Sequence, residues 1–60
     1  MFEAGTRVVG YTYNDHGDWV CIEGVVVSRT NDPEEMIQDY IIRRGDGTII
    51  YCDEQEVYRS

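Results

Sequence analysis

Residues 40–58, Tyr-Ile-Ile-Arg-Arg-Gly-Asp-Gly-Thr-Ile-Ile-Tyr-Cys-Asp-Glu-Gln-Glu-Val-Tyr, decide the fold of this 60-residue chain. Two runs rich in isoleucine and tyrosine flank Gly45-Asp46-Gly47, and β-branched and aromatic residues favour extended backbone. Both glycines accept positive φ, so the centre reads as a tight hairpin turn. Asp53-Glu54-Gln55 reads as a single 3-10 turn, and Glu56-Val57-Tyr58-Arg59 as a brief closing strand.

The rest of the chain extends the same pattern. Thr6 to Tyr13 predicts a first strand, with Gly10 marking a bulge or a bend. Asn14-Asp15-His16-Gly17-Asp18 is a loop with turn residues at nearly every position. Trp19 to Arg29 is the longest apolar run, and Gly24 near its middle lets a long strand coil sharply. Asn31 or Asp32 as N-cap, Pro33 at the first helical position, and Glu34 and Glu35 after it predict a capped acidic loop or helical turn near 31–36. Strands over Ile37–Arg44 and Thr48–Cys52 complete the set. The expectation is one all-β domain over residues 1–60, a small five-stranded barrel with a filled interior.

Composition narrows the function classes. Twelve acidic residues oppose five arginines and no lysine, for a net charge of −7. Such a field repels a phosphate backbone, so direct nucleic-acid binding is not expected. Two cysteines, Cys21 and Cys52, are too few for a disulfide-rich scaffold and read as reduced core residues. With His16 they supply too few ligands for a structural zinc site. No apolar run is long enough for a membrane-spanning helix, and no secretory leader pattern precedes the first strand. The chain reads as a complete small gene product, soluble and cytoplasmic.

In sequence order, Gly5-Thr6-Arg7-Val8, Trp19 with Gly24-Val25-Val26, Tyr40-Ile41-Ile42, Asp46-Gly47 and Glu56-Val57 resemble SH3-like barrels, particularly the Tudor and KOW-type branch. The resemblance covers nearly the whole chain and implies a five-stranded SH3-like barrel. Similarity to Tudor domains would further imply recognition of methylated lysine or arginine by an aromatic cage. Trp19, Tyr11, Tyr13, Tyr40 and Tyr51 are its available walls, although rings in small β proteins ordinarily pack the barrel and its rim. A second resemblance, to the SH3-like dihydrofolate reductases of plasmids, rests on Gly5-Thr6-Arg7-Val8 and Thr48-Ile49-Ile50-Tyr51. Here Ile49 stands where that family has its substrate-contacting glutamine, and an acidic chain suits its anionic cofactor poorly.

The residues themselves offer no catalytic set. His16 lies in a turn loop, where neighbouring Asp15 and Asp18 are more useful to the backbone than to a substrate. Ser28 and Ser60 have no activating partner in sequence, and both cysteines sit in apolar runs that should raise their pKa. Gly45-Asp46-Gly47 lacks the following helix of a phosphate loop. No catalytic, cofactor-binding or metal-ligating residue is therefore assigned.

What remains is surface. Acidic residues gather at Asp32, Glu34, Glu35 and Asp39, and again at Asp53, Glu54 and Glu56. With Trp19, Tyr11 and Tyr40 they form the expected contact surface for another protein with a basic surface. The predicted function is a non-enzymatic protein-binding module, a small regulator or inhibitor of the kind encoded by phages and mobile elements. A Tudor-like reader is the alternative and a small reductase the second one. Unpaired edge strands leave homodimerisation open.

Overall fold

β-branched and aromatic runs separated by glycine-containing loops give five strands in the computed structural model, which describes residues 2–30 and 39–60. They are β1 (Arg7–Tyr13), β2 (Trp19–Arg29), β3 (Asp39–Arg43), β4 (Ile49–Asp53) and β5 (Val57–Arg59), with a 3-10 turn at Glu54–Glu56. The capped acidic turn expected near 31–36, and with it Asp32, Glu34 and Glu35, lies outside the described residues. All pairings are antiparallel, in one sheet of order β4-β3-β2-β1-β5. Strand alternation sends Val8, Ile22, Val26, Tyr40, Ile42, Cys52 and Val57 to one face, where they form the core. Phe2, Val20 and Ile50 pack against it.

The sheet coils so that β1 faces β4 across this core, but among the described residues no ladder joins the edge strands β4 and β5. The architecture is a curled open sheet, where a closed barrel was expected. Two glycines permit the curl. A Cβ at Gly24 would lie 2.5 Å from the Arg43 carbonyl oxygen and 2.6 Å from the Ile42 Cγ2, so β3 crosses where only hydrogen fits. A Cβ at Gly10 would lie 3.0 Å from the Cys52 Sγ. Gly10 is thus a site of close approach with no bulge, since the β1–β2 register runs unbroken from Arg7↔Val25 to Tyr13↔Trp19. The irregularity falls in β2, between Val26 and Ser28. The extra residue there lets Arg29 pair with Tyr40.

Two hairpin loops repeat one design. Asn14 N–H donates to the Asp18 carbonyl (2.9 Å) and Gly17 N–H to the Asn14 carbonyl (3.0 Å). Arg44 N–H donates to the Thr48 carbonyl (2.8 Å) and Gly47 N–H to the Arg44 carbonyl (2.9 Å). Gly17 and Gly47 take φ of 81° and 88°, the left-handed residue that ends a three-residue hairpin turn. Gly45, expected to share that conformation, has negative φ, because this turn needs only its last residue left-handed. His16 sits in the first loop, its backbone N–H donating to Asn14 Oδ1 at 2.9 Å. In the second, hydrogen bonds from Thr48 hold the Asp46 carboxyl below its ordinary pKa. The 3-10 turn begins one residue later than predicted because Asp53 is its cap, accepting from Gln55 N–H at 2.8 Å.

The cysteines part company. Cys52 is buried, whereas Cys21 is exposed, contrary to the expectation of two core thiols. Val20 and Ile22 lean on the core, so the residue between them faces outward. Burial, aided by the nearby charge of Asp39, pushes the Cys52 thiol up to about 11. An aromatic disulfide reagent at neutral pH is expected to titrate one thiol per chain rapidly and the second only on unfolding; two fast thiols would contradict the buried position. The folded pKa of Cys52 lies above its ordinary 9.0, so its contribution to stability is complete below pH 9 and lost as pH rises towards about 11. Among the described residues no helix is long and apolar enough to cross a membrane.

Candidate functional site

The face opposite the core is set by the same alternation. Antiparallel partners share a face, so the pairs Tyr13↔Trp19, Tyr11↔Cys21 and Val9↔Glu23 form successive rows across β1 and β2. Tyr58 joins this face through Val9↔Tyr58, because β5 lies along the other side of β1. The result is an aromatic cluster turned to solvent. Trp19 stacks beside Tyr11, with centroids 6.3 Å apart and ring planes 13° apart. Tyr13 meets Trp19 edge-on at 4.9 Å, and Tyr58 meets Tyr11 edge-on at 6.0 Å. Trp19 remains 51% exposed and Tyr13 67%, so these rings do not pack the core.

Val9, Tyr11, Trp19, Tyr58 and Glu56 line one open groove of about 430 Å³. Glu56 ends the 3-10 turn and supplies the only charge among the described residues of that lining. Ring faces carry negative quadrupoles, and a carboxylate beside them adds a full negative charge. The arrangement suits a positively charged side chain with an apolar stem.

The structure thus brings together Tyr11, Trp19 and Glu56 from the expected contact surface, and of its other described residues it places Tyr40, Asp39, Asp53 and Glu54 elsewhere. Tyr40 is 3% exposed and belongs to the core, correcting its place on that surface. Its hydroxyl accepts Phe2 N–H at 2.9 Å and its ring lies 5.7 Å from that of Phe2, with the Arg29 guanidinium 5.0 Å from its centre. Glu54 forms an ion pair with Arg29 at 2.6 Å. Asp53 is occupied as a cap, and Asp39, directly opposite it across β3 and β4, donates its N–H to Thr30 Oγ1 at 2.9 Å. Tyr51 is exposed on edge strand β4 and does not line the groove.

Tyr58 and Val9 join the site without a signal in the sequence that marks them as contact residues. Val57 beside Tyr58 reads as apolar core, and alternation alone would turn Tyr58 outward. Its neighbours, however, follow only from the pairing of β5 with β1.

Comparison with protein-family models, with curated proteins and with solved structures finds no match to this chain.

Proposed function

We propose that this chain is a non-enzymatic, SH3-like protein-binding module that grips a positively charged segment of a partner protein in the groove of Tyr11, Trp19, Tyr58 and Glu56. The observation that carries this reading is the convergence of two exposed rings, Trp19 and Tyr58, the half-buried ring of Tyr11 and one carboxylate on one groove. Large exposed aromatics on a chain of 60 residues mark a contact surface, since tyrosine and tryptophan dominate interface energetics. The strand order and the 3-10 turn ahead of β5 support the SH3-like reading of the curled sheet. The −7 charge favours encounter with basic partners and suits a regulator that occupies a basic site.

Titration of the protein with a lysine-rich peptide, followed by backbone amide NMR, tests the reading. Saturable shifts are expected at Tyr11, Trp19, Glu56 and Tyr58, and Glu56→Gln should weaken binding about tenfold by removing a charge-assisted contact. Shifts confined to the exposed loops would contradict it. The ring trio also favours a narrower reading, a Tudor-like preference for methylated ammonium. In that case a trimethyl-lysine peptide binds more tightly than its unmodified form, and equal affinity argues for plain basic recognition.

A further inference from the structure

Three of the five arginines, Arg7, Arg43 and Arg44, line a second groove of about 400 Å³ at the other end of the outer face. Pairing places them there: Val25 in β2 lies opposite Arg7 of β1 on one side and Arg43 of β3 on the other. Directly opposed residues share a face, so two guanidinium-bearing side chains flank one half-buried valine. Their Cα atoms lie two strand spacings apart, about 10 Å, within which two arginine side chains can converge. Arg44 follows at the mouth of the β3–β4 turn, where its backbone N–H is tied to Thr48. The remaining arginines are engaged elsewhere, Arg29 with Glu54 and Arg59 over the Phe2 ring. Among the described residues Arg29–Glu54 is the one ion pair, so no described carboxylate holds Arg7, Arg43 or Arg44 at contact distance.

We infer that this groove is an oxyanion subsite that takes a phosphate monoester carried on the side chain of the partner segment. Among the described side chains that line it, Arg7, Arg43 and Arg44 are positive and Glu23 is negative, and Ser60 lies beside them; Asp46, beside Arg44, is engaged by Thr48. Three guanidinium groups offer more donors than the two oxygens of a carboxylate accept, and they suit the three acceptor oxygens of a phosphate monoester. Guanidinium forks also match phosphate oxygens in bidentate geometry. A polyanionic strand is repelled by the −7 chain, whereas a single phosphate on an otherwise basic segment is not. Arg7, Val9 and Tyr11 alternate along β1 on this face, so the two grooves lie at the ends of one surface, four residues or about 13 Å apart. The assignment to one partner segment rests on the protein-binding reading above; the subsite itself does not.

Three probes separate the two. They are a glycine-serine peptide with one phosphoserine and no lysine, the same peptide with serine, and inorganic phosphate, each titrated by amide NMR. The phosphopeptide is expected to shift Arg7, Gly24, Arg43 and Arg44 saturably, while the serine peptide leaves them still. Arg7→Gln and Arg43→Gln should each weaken that binding about tenfold, the loss of charge-assisted hydrogen bonds, and Arg43→Lys should restore it only in part. Both arginines are exposed, so the variants keep the amide pattern of the folded sheet. Equal shifts with the serine peptide, or undiminished binding in both glutamine variants, overturn the subsite. Inorganic phosphate binding as tightly as the phosphopeptide overturns the partner-borne source. None of these outcomes depends on the lysine-rich titration at the aromatic groove, so either reading can fail alone.

Discussion

Gly24→Ala is expected to destabilise the protein by about 3 kcal/mol, roughly 15–20 °C in Tm. The added methyl would sit 2.5 Å from a backbone carbonyl oxygen of β3 and 2.6 Å from Ile42, which is fully buried. A flexible side-chain tip could move away; a strand held by ladders on both sides cannot do so without opening the β2–β3 pairing. A core this small seldom supplies more than about 3–5 kcal/mol, so the loss is close to the whole stability. Gly45→Ala is the control. Its Cβ meets nothing within 4 Å and its φ is not positive, so thermal unfolding should move by no more than about 0.5 kcal/mol. Calorimetry on both variants decides the matter, and similar Tm values for the two would contradict the close crossing.

Trp19→Ala is expected to weaken partner binding severely while the sheet persists. Trp19 contacts Tyr11 and Tyr13 on the solvent side and belongs to no core cluster. Folding should lose about 1 kcal/mol, the worth of its ring pairs. Binding should lose about 2 kcal/mol or more, a factor of roughly thirty, as for a central tryptophan in an interface. Circular dichroism melts paired with calorimetric titration of the lysine-rich peptide separate the two effects. An unfolded variant would make Trp19 a core residue, and an unchanged affinity would remove it from the site.

Much of the fold was legible because loops and strands differ sharply in composition. The range Trp19–Arg29 emerges as predicted, since it is bounded by turn residues on one side and a proline-containing stretch on the other. Gly24 was readable as a coiling point because nothing else in so apolar a strand explains a missing side chain. The bulge was not readable: Val25-Val26-Val27 looks the same in any register, so a slip leaves no mark. The exposure of Cys21 is hidden for a related reason, because in Val-Cys-Ile an outward residue has no polar signature. Whether the sheet closes depends on its two edge strands, β4 and β5, whose short sequences fix their inward residues and not their partners.

The site was legible in kind and only partly in place. Tyr11, Trp19 and Glu56 stand out in the sequence by ring faces and charge, which are properties of residues. Their convergence with Tyr58, and that of Arg7 with Arg43, are properties of pairing between strands far apart in sequence. Local cues cannot supply that. The acidic cluster shows the converse, since Asp53 and Glu54 are consumed by a cap and an ion pair that only the folded chain reveals.

The chain has one tryptophan, and it lines the groove, so its emission reports directly on occupancy. Titration with the lysine-rich peptide is predicted to change Trp19 fluorescence saturably at low ionic strength, with affinity falling as added salt screens Glu56 and the acidic chain. An emission unmoved by the peptide at any salt concentration would contradict the groove as the contact surface.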